Sequence, residues 1–267
     1  MGARAKPAVN EPILLRQDEA GVATLTLNRP RVRNSLSVAL MDALQNEIDA
    51  IAEDPSVRVV VIGASGSAFC AGHDLKELRA NANRGFYEKL FAQCSRLMLS
   101  ITRLKKPVIA KVQGSATAAG CQLVATCDLA VATEDARFAT PGVQIGLFCS
   151  TPTVALTRAV AHKHAMEMLF TGDFVDAEEA LRIGLVNRVV PPARLDEEIN
   201  ALAAKIAGTS PLILATGKEA FHRQIGLGLE EAYAYASAVM TRNLLAHDAK
   251  EGIDAFLEKR APVWQGR

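Results

Sequence analysis

The chain has 267 residues, and 30 Lys and Arg against 29 Asp and Glu leave a formal charge of +1. Hydrophobic residues are 49% and charged residues 22%, the balance of a globular protein able to bury a sizeable core. The near-zero charge argues against a dedicated nucleic-acid binder, and no apolar run reaches the roughly 18 residues that a membrane span needs.

In chain order, residues 1–12 read as a flexible tail; Arg4 and Lys6 are followed by no apolar stretch of the kind a secretory signal has. Val22–Leu27 is a β-rich run stopped by Asn28-Arg29-Pro30. Ser37 is placed to cap a helix in which Leu40, Met41, Leu44, Ile48 and Ile51 recur at helical spacing. Arg58–Ile62 reads as a strand covered on both faces, followed by a small-residue loop over Gly63–Gly72 and a helix from Phe86 to Leu104. Pro107–Val112 and Leu129–Ala132 are further buried strands, separated by a second small-residue loop and a short buried helix, Ala118–Thr126. Strands alternating with helices predict parallel crossovers. Beyond Thr151 the chain reads as helical, with one strand-like piece at Leu185–Val190, caps at Asp176 and Asp196, and helices over Leu229–Leu245 and Lys250–Lys259. The division is a tail over 1–12, an α/β core over 13–190 and a helical region over 191–267.

Two loops have the character of a binding site. Phe69-Cys70-Ala71-Gly72-His73-Asp74 lets a ligand approach the backbone, and Asp74 with Glu77 has the spacing of a capping box. Val112–Cys121 again follows a strand and opens a helix. One backbone N–H from each could stabilise a single developing oxyanion. The plainer reading is two ordinary turns whose small residues let helix and sheet pack tightly.

The cysteines Cys70, Cys94, Cys121, Cys127 and Cys149 are odd in number and form no C-x-x-C, so neither a disulfide framework nor a structural zinc site is predicted, and a reducing compartment is expected. No H-x-x-x-H or H-E-x-x-H occurs, so no metal is expected; His162, His164, His222 and His247 carry no motif.

Taken together, N-R-P-x-x-x-N-S-L (Asn28–Leu36), F-C-A-G-H-D-L-K-E-L (Phe69–Leu78), A-A-G-C-Q-L-V-A-T-C-D (Ala118–Asp128), L-F-T-G-D (Leu169–Asp173), G-L-V-N-R-V-V (Gly184–Val190) and F-L-E-K-R (Phe256–Arg260) resemble the crotonase, or enoyl-CoA hydratase/isomerase, family in order and over nearly the whole chain. The resemblance implies an α/β fold of ββα spiral turns with a helical C-terminal trimerisation region, assembled as homotrimers or dimers of trimers, acting on a coenzyme A thioester with no permanently bound cofactor. It implies that the His73 and Ala119 backbone N–H groups form an oxyanion hole, that Phe69, Ala71 and Asp74 line the CoA site, and that Phe256 and Lys259 reach a neighbouring subunit's CoA adenine and phosphates. Nucleic acid and membrane are not expected partners.

The departures from the family are more informative. Its hydratases use two glutamates; this chain has Gln122 and Gly142 at those positions. Neither an amide nor a glycine moves a proton near neutral pH as a carboxylate does. Restoring both carboxylates would restore hydration if nothing else were missing. The remaining candidates are His73 as a base or as a packing residue, Cys149 as a nucleophile or an inert core thiol, and Gln122 as a polar orienting group. Ser150 or Thr151 as a helix cap, with Pro152 at the first helical position, accounts for Gly146–Pro152 without catalysis. The motifs are closer still to one subgroup of the family, mitochondrial in animals, in which Gln and Gly characterise these positions. With no Arg/Ser-rich leader in view, a cytoplasmic, bacterial-type chain is expected, the mitochondrial matrix being the alternative for a eukaryotic source.

Overall fold

The computed structural model describes residues 11–267. The tail expected over 1–12 lies outside them except for Glu11 and Pro12; the Pro12 carbonyl accepts a hydrogen bond from Asn28 Nδ2 at 2.9 Å.

The first element, β1 (Leu14–Glu19), runs antiparallel to β2 (Val22–Leu27). Its sequence, LLRQDE, is largely polar because it lies at the sheet edge, so no strand was expected there. The Ala20-Gly21 turn joins the two strands with positive φ at both residues, 48° and 81°, as a tight hairpin whose twist matches its strands requires. Helix α1 (Val38–Glu53) begins as predicted: Ser37 Oγ accepts from Leu40 N, and the five predicted apolar residues are buried.

Next come β3 (Val59–Ala64), β4 (Ala68–Cys70), α2 (Leu75–Ala80), α3 (Arg84–Arg103), β5 (Val108–Val112), β6 (Ser115–Thr117), α4 (Ala119–Thr126), β7 (Leu129–Thr133) and β8 (Arg137–Ala139). A 3-10 turn at Pro141–Ile145 leads to α5 (Ser150–Ala159), α6 (His162–Thr171), β9 (Val175–Asp176), α7 (Ala177–Arg182) and β10 (Arg188–Val190). Four helices follow: α8 (Leu195–Ala207), α9 (Pro211–Gln224), α10 (Leu229–Leu244) and α11 (His247–Glu258).

The main sheet has the order β1-β2-β3-β5-β7-β10 and is parallel from β2 onward. Alternate residues of its strands face opposite layers. Val60 and Ile62 join the large core with α1 and α3. Val59, Val61, Ile109 and Val131 pack against Leu195, Ile199, Leu202 and Ala203 of α8. Burial on both faces explains the near-continuous apolar runs.

In a second, smaller sheet, β4-β6-β8-β9, strands β4 and β6 stand within the two small-residue loops expected from sequence, and β8 and β9 were not expected. The backbone approaches between β4 and the β6–α4 segment depend on glycine. A Cβ at Gly114 would lie 2.1 Å from the Ser67 carbonyl oxygen, and one at Gly120 would lie 2.1 Å from that of Cys70.

Three capping expectations change. Asp196 falls inside the first turn of α8 and pairs with Lys111 instead of capping. Ser150 is the first helical residue of α5 and Pro152 the third, with Cys149 at the cap position and no side-chain cap bond. Asp74 Oδ1 accepts from Lys76 N and Glu77 N, but Glu77 does not reciprocate; its Oε2 accepts from Val38 N at 3.0 Å and so caps α1. Asp176 caps α7 as predicted.

Lys218 ties the last helices to the core. Its Nζ donates to the Ile101 carbonyl at 3.0 Å, the Lys106 carbonyl at 3.1 Å and Asp128 Oδ2 at 2.6 Å. Asp128 Oδ2 also accepts from Val108 N at 2.7 Å, at the start of β5. Among the described residues no single helix is long and apolar enough to cross a membrane.

Candidate active site

The site begins at two backbone reversals that touch. After β4, Leu36 N donates to the Gly72 carbonyl at 2.8 Å, and Asp74 N donates to the Leu36 carbonyl at 3.2 Å. This bridge fixes the residues on either side of His73 and leaves the His73 N–H without an acceptor among the described residues. After β6, Ala118 N donates to the Ala139 carbonyl at 2.9 Å while Ala118 itself holds φ 50° and ψ −118°. Positive φ is costly for alanine, of order 1–3 kcal/mol when such a conformation is imposed on a non-glycine residue. The sharp turn opens α4 at Ala119, whose N–H belongs to the first helical turn and has no partner within the helix.

Gly72 brings the two together. Its φ is 86°, and a Cβ there would lie 2.9 Å from Ala118 Cβ and 3.2 Å from Ala119 N. Two N–H groups on adjacent turns, neither with an acceptor among the described residues and one at a helix N-terminus, suit a developing anion.

Sequence reasoning missed the scaffold of this loop. Asn34 is fully buried with φ 54°. Its Nδ2 donates to the Ser65 carbonyl at 2.9 Å and the Ala68 carbonyl at 2.8 Å, and its Oδ1 accepts from Arg29 N at 2.8 Å. The Asn28–Leu36 motif was the available signal, but nothing local tells what its asparagine reaches. Arg29 donates to the Ser35 carbonyl at 2.6 Å and to Asp74 Oδ2 at 3.2 Å. Burial works against the Asp74 charge, yet the Arg29 hydrogen bond and the Glu77 N–H hold its carboxyl below the usual range. Asp74 is thus engaged with the loop's own groups. Phe69 is fully buried in the core, and Ala71 N donates to the Arg33 carbonyl at 3.0 Å.

Gln122 is 5% exposed, with Oε1 4.0 Å from Cys94 Sγ. Gly142 is buried in the 3-10 turn. A Cβ on it would meet the Leu147 carbonyl oxygen at 2.7 Å and Cys149 Sγ at 2.9 Å. Burial pushes the Cys149 thiol up, opposed by the Gly142 N–H. Burial also pushes Cys70 and Cys121 up to about 12 and Cys94 to about 11. These are protonated thiols at neutral pH, which disfavours the nucleophile reading.

His73 places both ring nitrogens out of contact with solvent and without a hydrogen-bond partner, edge-on to Phe91 at 5.6 Å between centroids. Burial pushes its imidazole below the ordinary histidine range, so it is neutral at neutral pH.

Phe256 and Lys259 are not gathered with this pair. Helix α4 packs on α3, α5, β4 and β6, whereas α11 packs on α9 and α10. Phe256 is exposed, and Lys259 ends α11 with φ 55°. Among the described residues no group of three His, Cys, Asp or Glu side chains is placed to hold a metal ion.

Comparison with known proteins places this geometry in context. Residues 17–267 match the family described as enoyl-CoA hydratase/isomerase. A Xenopus laevis protein, the mitochondrial enoyl-CoA hydratase domain-containing protein 3, is 49% identical over 253 residues, covering 95% of this chain and 86% of that protein. The crystal structure of its human counterpart has a TM-score of 0.92 at 47% identity, covering 95% of this chain and 100% of that one. An enoyl-CoA hydratase structure from Mycobacterium smegmatis has a TM-score of 0.93 at 58% identity, covering 95% and 99%. The subgroup expected from the motifs is therefore the domain-containing protein 3 type.

Proposed function

Since the chain belongs to the enoyl-CoA hydratase/isomerase, or crotonase, family, we propose that it binds an acyl-CoA thioester at the His73–Ala119 elbow and lacks the family's two-glutamate hydration chemistry. The observation that carries this reading is the pair of N–H groups, without an acceptor among the described residues, on turns that meet at Gly72. They would donate to the thioester carbonyl as it gains enolate character, where charge develops and water is excluded. Phe69, Ala71 and Asp74 would form the rigid backbone edge of the CoA site.

Proton transfer is the missing half. Gln122 can orient a water or a polar acyl group by hydrogen bonding, but an amide is no base at neutral pH. A non-standard group, or the substrate itself, would have to move the proton. The neutral His73 imidazole can accept one only after a ring nitrogen is freed from its buried setting. Gly142 favours a second reading, a non-catalytic acyl-CoA-binding or regulatory protein, because the volume a carboxylate would need there is filled.

The assembly we propose is a homotrimer or a dimer of trimers. The exposed Phe221, Leu229, Tyr233, Leu245, Phe256 and Leu257 on and around the last three helices support it. In it, Lys259 and Phe256 would meet a neighbour's CoA phosphates and adenine, and the segment 191–267 would act as the assembly region beside the core 13–190, apart from α8, which covers a face of the core sheet. The reading involves no resident cofactor, metal or nucleic acid. For location, the relatives named as mitochondrial support the mitochondrial alternative for a eukaryotic source, beside the cytoplasm for a bacterial one.

The test is calorimetry with crotonyl-CoA beside a hydration assay. The reading expects a Kd on the order of micromolar with negligible hydration. Failure to bind any acyl-CoA would refute it, and a rate comparable to a two-glutamate enzyme would show that a catalytic group lies elsewhere.

A further inference from the structure

The turn that ends α11 is built on an unfavourable residue. Lys259 takes the left-handed conformation, φ 55° and ψ 39°, at the position where glycine usually ends a helix. A lysine persists there only where its surroundings hold it.

Those surroundings are a strap. Arg260 grips Glu251 through both terminal nitrogens, at 2.6 and 2.9 Å, and reaches Glu258 through Nε at 2.6 Å. Glu251 Oε1 also accepts from Val263 N at 2.8 Å, and the Arg260 bond is the main reason its carboxyl falls to about 2. Trp264 Nε1 donates to the Gly208 carbonyl at 2.8 Å, and its ring lies over Gly252, where an added Cβ would be 3.1 Å away. Asp248 is 1% exposed; its oxygens accept from Gln265 N at 2.8 Å, Gly266 N at 2.9 Å and Ser210 Oγ at 2.5 Å. Its own N–H donates to the Arg267 carbonyl at 2.9 Å. The segment after α11 therefore runs back along that helix and fastens it to the α8–α9 junction. An exposed surface end would need little of this. Its effect is to fix one turn, from which Lys259 projects three residues after Phe256.

We propose that the segment Arg260–Arg267 is a strap that aims Lys259 and Phe256 at the nucleotide end of a CoA thioester, with Trp264, Glu251 and Asp248 as positioning residues. This rests on the reading that Lys259 meets CoA phosphate. The strap acts through α11 and touches no reacting atom, so it affects the nucleotide half of the ligand and not the acyl half.

The test uses the full-length protein, butyryl-CoA, and butyryl-pantetheine, which lacks the nucleotide. Lys259→Ala, Lys259→Gly, Trp264→Ala and Trp264→Phe are compared by calorimetry, with melting temperature as a check. The expected result is butyryl-CoA binding weakened about tenfold by Lys259→Ala and by Trp264→Ala, with butyryl-pantetheine within about twofold of wild type. Trp264→Phe, which keeps an aromatic ring but loses the Gly208 hydrogen bond and the outermost ring atoms over Gly252, gives an intermediate loss. Lys259→Gly raises the melting temperature by about 2 °C, relieving the turn, while still weakening butyryl-CoA. If Lys259→Ala weakens butyryl-CoA and neither Trp264 variant does, the strap proposal fails and the phosphate reading stands. If Lys259→Ala changes nothing, the phosphate reading fails and the strap's role falls with it. Equal weakening of both ligands by the Trp264 variants marks a general structural role and overturns the proposal.

Discussion

Cys149 occupies the side-chain volume of residue 142. Its Sγ stands 2.9 Å from where a Cβ on Gly142 would lie, and the Leu147 carbonyl oxygen stands at 2.7 Å from the same point. The missing second carboxylate is thus more than a deletion, because the thiol and the turn have closed over its place. Restoring both glutamates is the obvious test from sequence, and this contact changes its expected result. Gln122→Glu with Gly142→Glu is predicted to lose stability, by about 1–3 kcal/mol or more from overpacking, and to gain no hydration. Adding Cys149→Ala recovers part of the melting temperature. Thermal melts and a crotonyl-CoA hydration assay check this. A double variant that melts like wild type and hydrates would refute the contact.

Gly120 sets the spacing of the elbow. With its Cβ position 2.1 Å from the Cys70 carbonyl oxygen, Gly120→Ala must push α4 away from β4. The predicted cost is about 3 kcal/mol or more, with acyl-CoA binding lost in whatever remains folded. Denaturant unfolding and calorimetry read the two effects. A variant of wild-type stability and affinity would contradict the packing described above.

His73 gives a pH signature. Its folded imidazole titrates below the unfolded value of about 6.5. Below that pH the unfolded chain binds a proton that the folded protein does not, so stability is full above about 6.5 and declines as pH falls further. His73→Gln should flatten the pH dependence of unfolding below about 6.5. Identical slopes for the two proteins would remove the buried neutral imidazole from the account.

Lys218 and Asp128 form a half-hidden ion pair joining α9 to the core, with side-chain exposures of 8% and 19%. Losing one partner leaves the other charge poorly solvated, so Lys218→Met is predicted to cost about 3–5 kcal/mol. Adding Asp128→Asn should cost less than the sum of the two single changes, which a double-mutant cycle measures. Strict additivity would mean the pair contributes nothing.

The sequence was most legible where signals repeat. Ser37 and the 3.6-residue spacing of Leu40 to Ile51 located α1, and the runs around Val60, Ile109 and Val131 located the buried strands. The small sheet escaped because β4, β6 and β8 have three residues each, too few for a period to show. They are held by close approaches at Gly114 and Gly120 to partners about 50 residues away. The elbow motif named His73 and Ala119, but Ala118 gives no hint of its positive φ, since alanine is an unlikely choice for that conformation. Asp196 looked like a cap because caps are read locally, whereas α8 already starts at Leu195 and Asp196 pairs with Lys111 of β5. The Gly142–Cys149 contact depends on how the 3-10 turn folds back, which seven residues of sequence do not disclose.

The central claim is that the carbonyl-polarising half of the site survives where the proton-moving half does not. Its most direct measurement is the infrared carbonyl stretch of butyryl-CoA labelled with ¹³C at the thioester carbon, free and bound to the wild-type protein. Two donating N–H groups at His73 and Ala119 polarise that bond, so the account predicts a shift to lower frequency on binding. A bound ligand whose carbonyl stretch stays at its free-solution value would contradict it.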